Sequence, residues 1–431
     1  MNTLLKFSGA MVVATLHCHA YAGDVSGIVK AQSAYDFNAH KTQQQEVLLD
    51  VEYNQPLFSG DLKAIARFRH DGIGDLNHRS RPQTYSRIGG PLANGEAGTI
   101  DLRELYWDGS NTSTFWRLGK QQVVWGEADG LKLLDVINPQ NFREFILDDF
   151  DDSRIPLWMA NVEYTVGDNS LIQILWIPDT TTHELAPAHS PFAFTSPALV
   201  PQQTPGQKVF VEEASAPDSL LKDSDVGIRF TQFTGGWDVS LNYLYHYVDT
   251  PVVRVEVSDQ LLRVSQEYER SQLIGGTAST VVGDWTVRAE IAYETDRYHR
   301  TVSTAPGVTK AGQWSTVLGL DWQGWTDQFI SVQWFQTTVV GSGEDLINNQ
   351  SEDTATFLWE SKFMNETVTL KWLHIFSLDH GDGVLQTKLT YNYRENIDIY
   401  AGVDVFYGDR EGLFGQFKEA DRFRIGFEWG F

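Results

Sequence analysis

Four carboxylates crowd into the run Asp148-Asp149-Phe150-Asp151-Asp152. Carboxylates gathered this tightly can bind a hard cation such as calcium, which takes several oxygen ligands. The run lacks the spacing, glycine and terminal Glu of an EF-hand loop, so no metal site is assigned. Pairing with Arg143 and Arg154, on either side of it, suits it better. A second constellation, Ser240, Asn242 and His246, shares one side of an alternating segment. Hydrolytic triads need nucleophile, base and orienter within hydrogen-bond reach, and positions strung along one strand do not supply that. The reading is therefore not an enzyme, with no cofactor and no metal. The sole cysteine, Cys18, lies near the N-terminus, so disulfides and thiolate sites are excluded from the rest of the chain.

The acidic run must be held by something. Trp237, Val239, Leu241, Tyr243, Tyr245 and Tyr247 alternate with Asp238, Ser240, Asn242, Leu244 and His246. The same period of two recurs in residues 47–54, 62–69, 287–293, 314–322 and 397–407. Strands turn successive side chains to opposite faces. Eight tight polar links, near 54–61, 108–114, 167–170, 234–236, 282–284, 323–327, 364–367 and 394–396, interrupt the pattern. Longer connections lie between them, near 37–46, 72–98, 126–156, 179–223, 248–270, 294–312, 339–352, 377–383 and 408–419. This rhythm predicts an all-β, closed antiparallel transmembrane β-barrel of about 18 strands, one domain over residues 23–431. No apolar run after residue 23 is long enough for a membrane helix.

Both ends agree. A cationic start with Lys6, an apolar stretch, and Ala20-Tyr21-Ala22 before Gly23 read as a signal peptide over residues 1–22. Its removal takes the formal charge from −24 to −25. Such acidity argues against nucleic acid as a partner. At the other end Phe423, Ile425, Phe427, Trp429 and Phe431 alternate with Arg422, Arg424, Gly426, Glu428 and Gly430. Phe427, Trp429 and Phe431 look like the aromatic signal by which outer-membrane barrels are taken up for assembly.

A barrel this wide keeps an aqueous interior unless something fills it. Residues 126–156 carry Phe142, Phe145, Ile146, Leu147 and Phe150, too apolar for a loop in water. Asn138-Pro139 offers a helix start and Phe142-x-x-Phe145-Ile146 has helical spacing. A short helical loop folded into the barrel is expected. Its constriction residues would be Trp125, Glu127, Asp129, Asn138, Arg143, Asp148, Asp149, Asp151, Asp152 and Arg154. Lys63, Arg67, Arg69, Arg117, Arg422 and Arg424 would face the lumen as a basic ladder. The proline-rich stretch 179–223 reads as an irregular outer lid or an exposed loop.

Leu118-Gly119-Lys120-Gln121, Trp125-Gly126-Glu127 and Ile137-Asn138-Pro139 resemble the signature of a proteobacterial outer-membrane barrel family of unknown function. Its members are often encoded near RND-type exporters and envelope proteins thought to handle lipid. The first of these pieces is also loosely similar to alginate-export and carbohydrate porins. The resemblance implies the cell outer membrane. It implies a porin-like channel for an unidentified solute or lipid-like substrate, or a plugged accessory barrel serving an exporter. The partners would be outer-membrane lipid and lipopolysaccharide, the barrel assembly machinery, and a periplasmic or inner-membrane exporter.

Overall fold

A computed structural model describes residues 23–431 apart from 203–205, 213, 215, 259–260, 303–304 and 343–344. The expected leader lies outside the described residues. Eighteen strands form the wall: β1 Asp24–Asp36, β2 Lys41–Leu57, β3 Gly60–Asp71, β4 Gly98–Ser110, β5 Thr114–Gln121 and β6 Leu157–Val166. Then come β7 Ser170–Ile177, β8 Asp225–Thr234, β9 Trp237–Tyr247, β10 Arg270–Val282, β11 Trp285–Arg300 and β12 Val308–Trp322. The ring finishes with β13 Gln328–Val340, β14 Ser351–Phe363, β15 Val368–Ser377, β16 Gly383–Arg394, β17 Ile397–Tyr407 and β18 Arg422–Gly430. Each pairs antiparallel with the next, and β18 closes on β1 from Ile28↔Gly430 to Asp36↔Arg422. Closure leaves no strand edge unpaired, which a bilayer demands because it offers backbone groups no water.

One end of the barrel holds the eight tight turns, none longer than the five residues 323–327. The other holds nine loops, at 37–40, 72–97, 122–156, 178–224, 248–269, 301–307, 341–350, 378–382 and 408–421. Two loops are shorter than the sequence rhythm suggests. Lys41–Glu46 pairs with Gln32–Asp36, and Arg297–Arg300 pairs with Val308–Ala311 beyond a bulge. These stretches are polar, so alternation of hydrophobicity does not mark them, yet their backbones continue the ladder.

Alternation decides the faces. Val226, Ile228 and Phe230 of β8 and Leu241, Tyr243 and Tyr245 of β9 are exposed outward, while Asn242, Leu244 and His246 are buried within. On β18, Phe423, Ile425 and Phe427 are outside and Arg422 and Arg424 inside. Trp285, Trp322 and Trp325 gather at the turn end, with ring centroids 6.1 and 4.8 Å apart, as in the aromatic girdles of membrane barrels. Phe431 exchanges two 3.0 Å backbone hydrogen bonds with Gly27, and its ring stacks near Trp429. A Cβ on Gly27 would come within 2.5 Å of the Phe431 ring and of the Asp50 carbonyl, so glycine is needed for this close approach.

Phe431→Asp places a charge at this seam. It is expected to lower the yield of folded, heat-modifiable barrel far more than Glu428→Ala does. Equal yields for the two would remove any special role for the terminal aromatic.

Candidate functional site

Residues 122–156 leave β5, enter the barrel and return to β6. Asn138 clips the two legs together. Its Oδ1 accepts from Val123 N at 2.8 Å, and its Nδ2 donates to the carbonyls of Gln121 and Ile155 at 3.3 and 3.0 Å. One side chain thus satisfies three backbone groups and divides the loop into two lobes. Trp125 and Asn138, expected to line a constriction, are instead fully buried in the loop's footing.

The first lobe reaches across to the far wall. Trp125 donates to Gln173 on β7 at 2.7 Å and lies over Gly227, where a Cβ would meet its ring at 2.8 Å. Glu290 on β11 accepts from the backbone of Glu127, Ala128 and Leu134. Arg288, also on β11, donates to the Glu127 carbonyl and pairs with Asp129 at 2.6 Å and Asp321 at 2.8 Å. Asp129 N reaches Gln333 on β13 at 3.1 Å. Trp125, Leu134 and Ile137 bury themselves against inward Leu175, Leu244 and Leu273. Apolar residues on a lumen face are otherwise out of place, and this docking accounts for them.

The second lobe turns to the opposite wall. Glu144 receives Arg422 of β18 at 2.6 Å, Gln44 of β2 at 2.8 Å and Arg143 at 2.9 Å. Arg143 also pairs with Glu46 of β2 at 2.6 Å, and Arg422 with Asp404 of β17 at 2.8 Å. Asp152 is held by Arg67 of β3 at 2.6 Å and Lys30 of β1 at 2.8 Å. Arg103 on β4 donates to the Asp151 carbonyl. Arg154 joins the lobes, pairing with Asp135 at 2.8 Å and Asp151 at 2.5 Å. Phe145 sits at the tip with a left-handed φ of 55°, a conformation that costs a bulky residue. Its ring packs 4.6 Å from Phe417 and 5.8 Å from Phe194, contacts that hold it there.

Burial raises carboxylate pKa values and opposite charges lower them. At Glu144 the arginines Arg422 and Arg143 outweigh burial and hold it down to about 2. Arg67 and Lys30 likewise keep Asp152 well below the usual range against its burial. Asp148 goes the other way. Burial first, then the Glu144 charge, push it up to about 7 despite Arg143 and Arg69. Asp149 is exposed, and the Asp151 side chain is 93 % exposed although paired. Among the described residues no group of acids and histidines is arranged to hold a metal.

The basic ladder is not free. Lys63 pairs with Glu52 at 2.9 Å, Arg69 approaches Glu46 at 3.8 Å, Arg117 pairs with Asp108 at 3.1 Å and Arg424 with Asp404 at 3.1 Å. Each neutralises an acid on a neighbouring strand, and only Arg67 and Arg422 of the six also ion-pair with loop carboxylates. The helix is also misplaced: the loop's one helical turn is Phe150–Ser153, whereas Asn141–Phe142 forms a parallel bridge with Glu184–Leu185. That pairing, made with a loop far along the chain, overrides the helical spacing around Phe142. Sequence reasoning did not single out Glu144 within the loop, and it missed Lys30, Arg103 and Gln333. Arg288 and Glu290 were legible as inward positions of β11, though nothing local shows that they meet the loop. Ser240 hydrogen-bonds Thr277 at 2.9 Å and forms no relay with His246.

An eighteen-strand ring with one long loop folded inside and docked on opposite walls has the fold of a porin-like barrel. Residues 12–365 match the family described as protein of unknown function (DUF1302), and the chain belongs to that family. No curated protein matches the sequence. Among solved structures, Acinetobacter baumannii OccAB2 is 11 % identical with a TM-score of 0.52, over 95 % of this chain and 98 % of that one. Pseudomonas aeruginosa OccK5 (OpdH) is 10 % identical with a TM-score of 0.52, over 95 % and 97 %. A. baumannii OccAB4 is 10 % identical with a TM-score of 0.50, over 94 % and 97 %. These likenesses are of fold.

Arg422→Met removes the cation shared by buried Glu144 and Asp404, leaving Glu144 to Arg143 and Asp404 to Arg424. It should destabilise the barrel by about 3–5 kcal/mol in denaturant titration, whereas Arg117→Met, at a half-exposed pair, should cost under about 1 kcal/mol. Comparable losses would mean that the Glu144 cluster does not anchor the loop.

Asp148 gives a pH prediction. Its pKa is higher in the docked lobe than in a solvated one, so docking binds its proton. Its contribution is complete below about pH 4 and is lost as pH rises through about 7. A cysteine introduced at buried Leu147, beside Asp148, should therefore label faster, relative to a free thiol standard, as pH rises from 5 to 8. Asp148→Asn should flatten that rise, and an unchanged rise in the variant would overturn the assignment.

Proposed function

We propose that this barrel resides in the outer membrane and is a selective, porin-like channel whose lumen is gated by residues 122–156. The observation that carries the reading is the loop's attachment to opposite walls, at Glu290 and Arg288 on one side and at Arg422 and Arg67 on the other. The outward apolar face, the terminal aromatic strand and the polar interior support a membrane setting. Trp125, Glu127, Asp129, Asn138, Arg143, Asp148, Asp149, Asp151, Asp152 and Arg154 build the gate in this reading. Its acids and the wall cations set which ions pass, because charges facing each other across a narrow neck are weakly screened. The firm double attachment favours one second reading, a barrel plugged at rest that opens only with a periplasmic or inner-membrane exporter.

Purified barrel in planar bilayers separates the two. Excising residues 126–152 should raise single-channel conductance severalfold over the wild type. Replacing Asp148, Asp149, Asp151 and Asp152 with Asn uncovers Lys30 and Arg67 and should shift selectivity toward anions. If the wild type and the excised form are both silent, the channel reading fails.

A further inference from the structure

Beyond the gate, on the loop side, lies a cavity of about 860 Å³, a size that suits one small ligand. Its floor is the gate itself, with Leu131, Leu133, Phe142 and Ile146. Its roof is a small sheet from the fourth and fifth loops. There Lys208–Val211 runs parallel to Leu261–Glu267, which pairs antiparallel with Val252–Val257. The sheet lines the cavity with Val209, Val211, Leu262 and Val264. Val209 is 44 % and Val211 57 % exposed. Leu262 and Val264 are buried in a cluster with Val253 and Val255, so the exposed apolar area of the roof is that of Val209 and Val211, and leaving such area to water is unfavourable at about 25 cal/mol per Å².

The polar groups facing the cavity carry little free charge. Glu294 pairs with Arg297 at 3.4 Å and Asp135 with Arg154 at 2.8 Å. Burial holds His183 down to about 3 and pushes Asp249 well above the carboxylate range. Lys132, lowered by burial to about 8, keeps its charge at neutral pH but is paired with Asp135 at 3.5 Å. One wall group stands out. His246 on β9 is 5 % exposed, lines the cavity, and its Nε2 has no hydrogen-bond partner. A buried imidazole nitrogen left unpaired costs about 1–3 kcal/mol, which a ligand hydroxyl would relieve.

We propose that this cavity is a binding site for an uncharged, predominantly apolar small molecule with one hydrogen-bonding end, the apolar body under the Val209–Val264 roof and the polar end on His246. This deepens the channel reading and rests on it for its role: the bound molecule is the cargo waiting above the gate. A net charge on the ligand would have to be buried among paired or neutralised groups, which disfavours alkyl carboxylates and alkylammonium ions.

The test uses the full barrel in phosphatidylcholine nanodiscs, with aminoanthracene as fluorescent probe and empty nanodiscs as the partition control. Saturable fluorescence at one site is expected, displaced by dodecanol at lower concentration than by dodecanoate or dodecylammonium. Val264→Asp should abolish the signal, and Val209→Asp, at a more exposed position, guards against misfolding, which heat-modifiable mobility reports. His246→Leu should weaken dodecanol about three- to tenfold and leave dodecane competition unchanged. Fluorescence no greater than in empty discs would overturn the site. So would full signal in both folded Asp variants, or stronger displacement by dodecanoate. Binding with an electrically silent loop-excised barrel would keep the site and discard the channel; conductance without binding would do the reverse.

Discussion

A ring of eighteen strands is too wide for its own inward side chains to meet across the middle, and the rest of the interior follows from that. Something else must occupy the lumen, and it must satisfy its backbone without a sheet or a long helix of its own. Residues 122–156 do so by borrowing. Glu290 takes three of their amide hydrogens, Asn138 serves three backbone groups at their base, and Gln333 takes another. Where the wall must approach the loop closely it is glycine: a Cβ at Gly275 would sit 2.7 Å from Leu134.

Electrostatics then fixes which way each lobe faces. The wall interleaves acids and bases on adjacent strands, so most inward cations are already paired within the sheet. Arg67, Arg422 and Arg288 depart from this because each holds a wall acid with part of its guanidinium and offers the remainder to the loop, and Lys30 joins Arg67 at Asp152. Arginine's fork of donors makes this double pairing possible, where a lysine ammonium would offer a point charge. The arrangement also explains the unequal fates of neighbouring carboxylates. Asp152 stays ionised because two cations reach it, while Asp148, four residues earlier, has Glu144 for company and takes up a proton more readily.

Most of the container was legible. All eight tight turns fell where alternation breaks, because turn chemistry and period two are local signals. Lys41–Glu46 and Arg297–Arg300 escaped because a strand's polar extension looks like a loop. Inside, what was legible was the loop's apolar content, the inward set of Arg67, Arg422, Arg288 and Glu290, and the odd inward Leu244. What was not legible was who meets whom. Glu144 and Arg422 lie 278 positions apart, and the sequence around each carries no mark of the other. The parallel bridge of Asn141–Phe142 with Glu184–Leu185 is a contact of the same kind, and it cancels a local helical spacing. Of the roof sheet, Lys208–Val211 was hidden between Pro205 and Pro217 in the proline-rich loop, and Val252–Val257 with Leu261–Glu267 lay in a stretch that reads as one long connection.

The Asn138 clip has a consequence for the statistics of the chain. A single span of thirty-five residues (122–156) becomes two tethers of roughly half that length. Chain ends joined by a shorter tether have fewer configurations to explore, with a closure cost that scales as the logarithm of length. A detached lobe is thus returned to its wall by a small search, and loops near ten residues close in roughly 10–100 ns. Because the clip separates them, one half can lift while the other stays seated. The barrel then has four arrangements instead of two, and the two halves differ in their anchors, backbone amides on Glu290 with the Arg288–Asp129 pair for one and the ion pairs at Glu144 and Asp152 for the other.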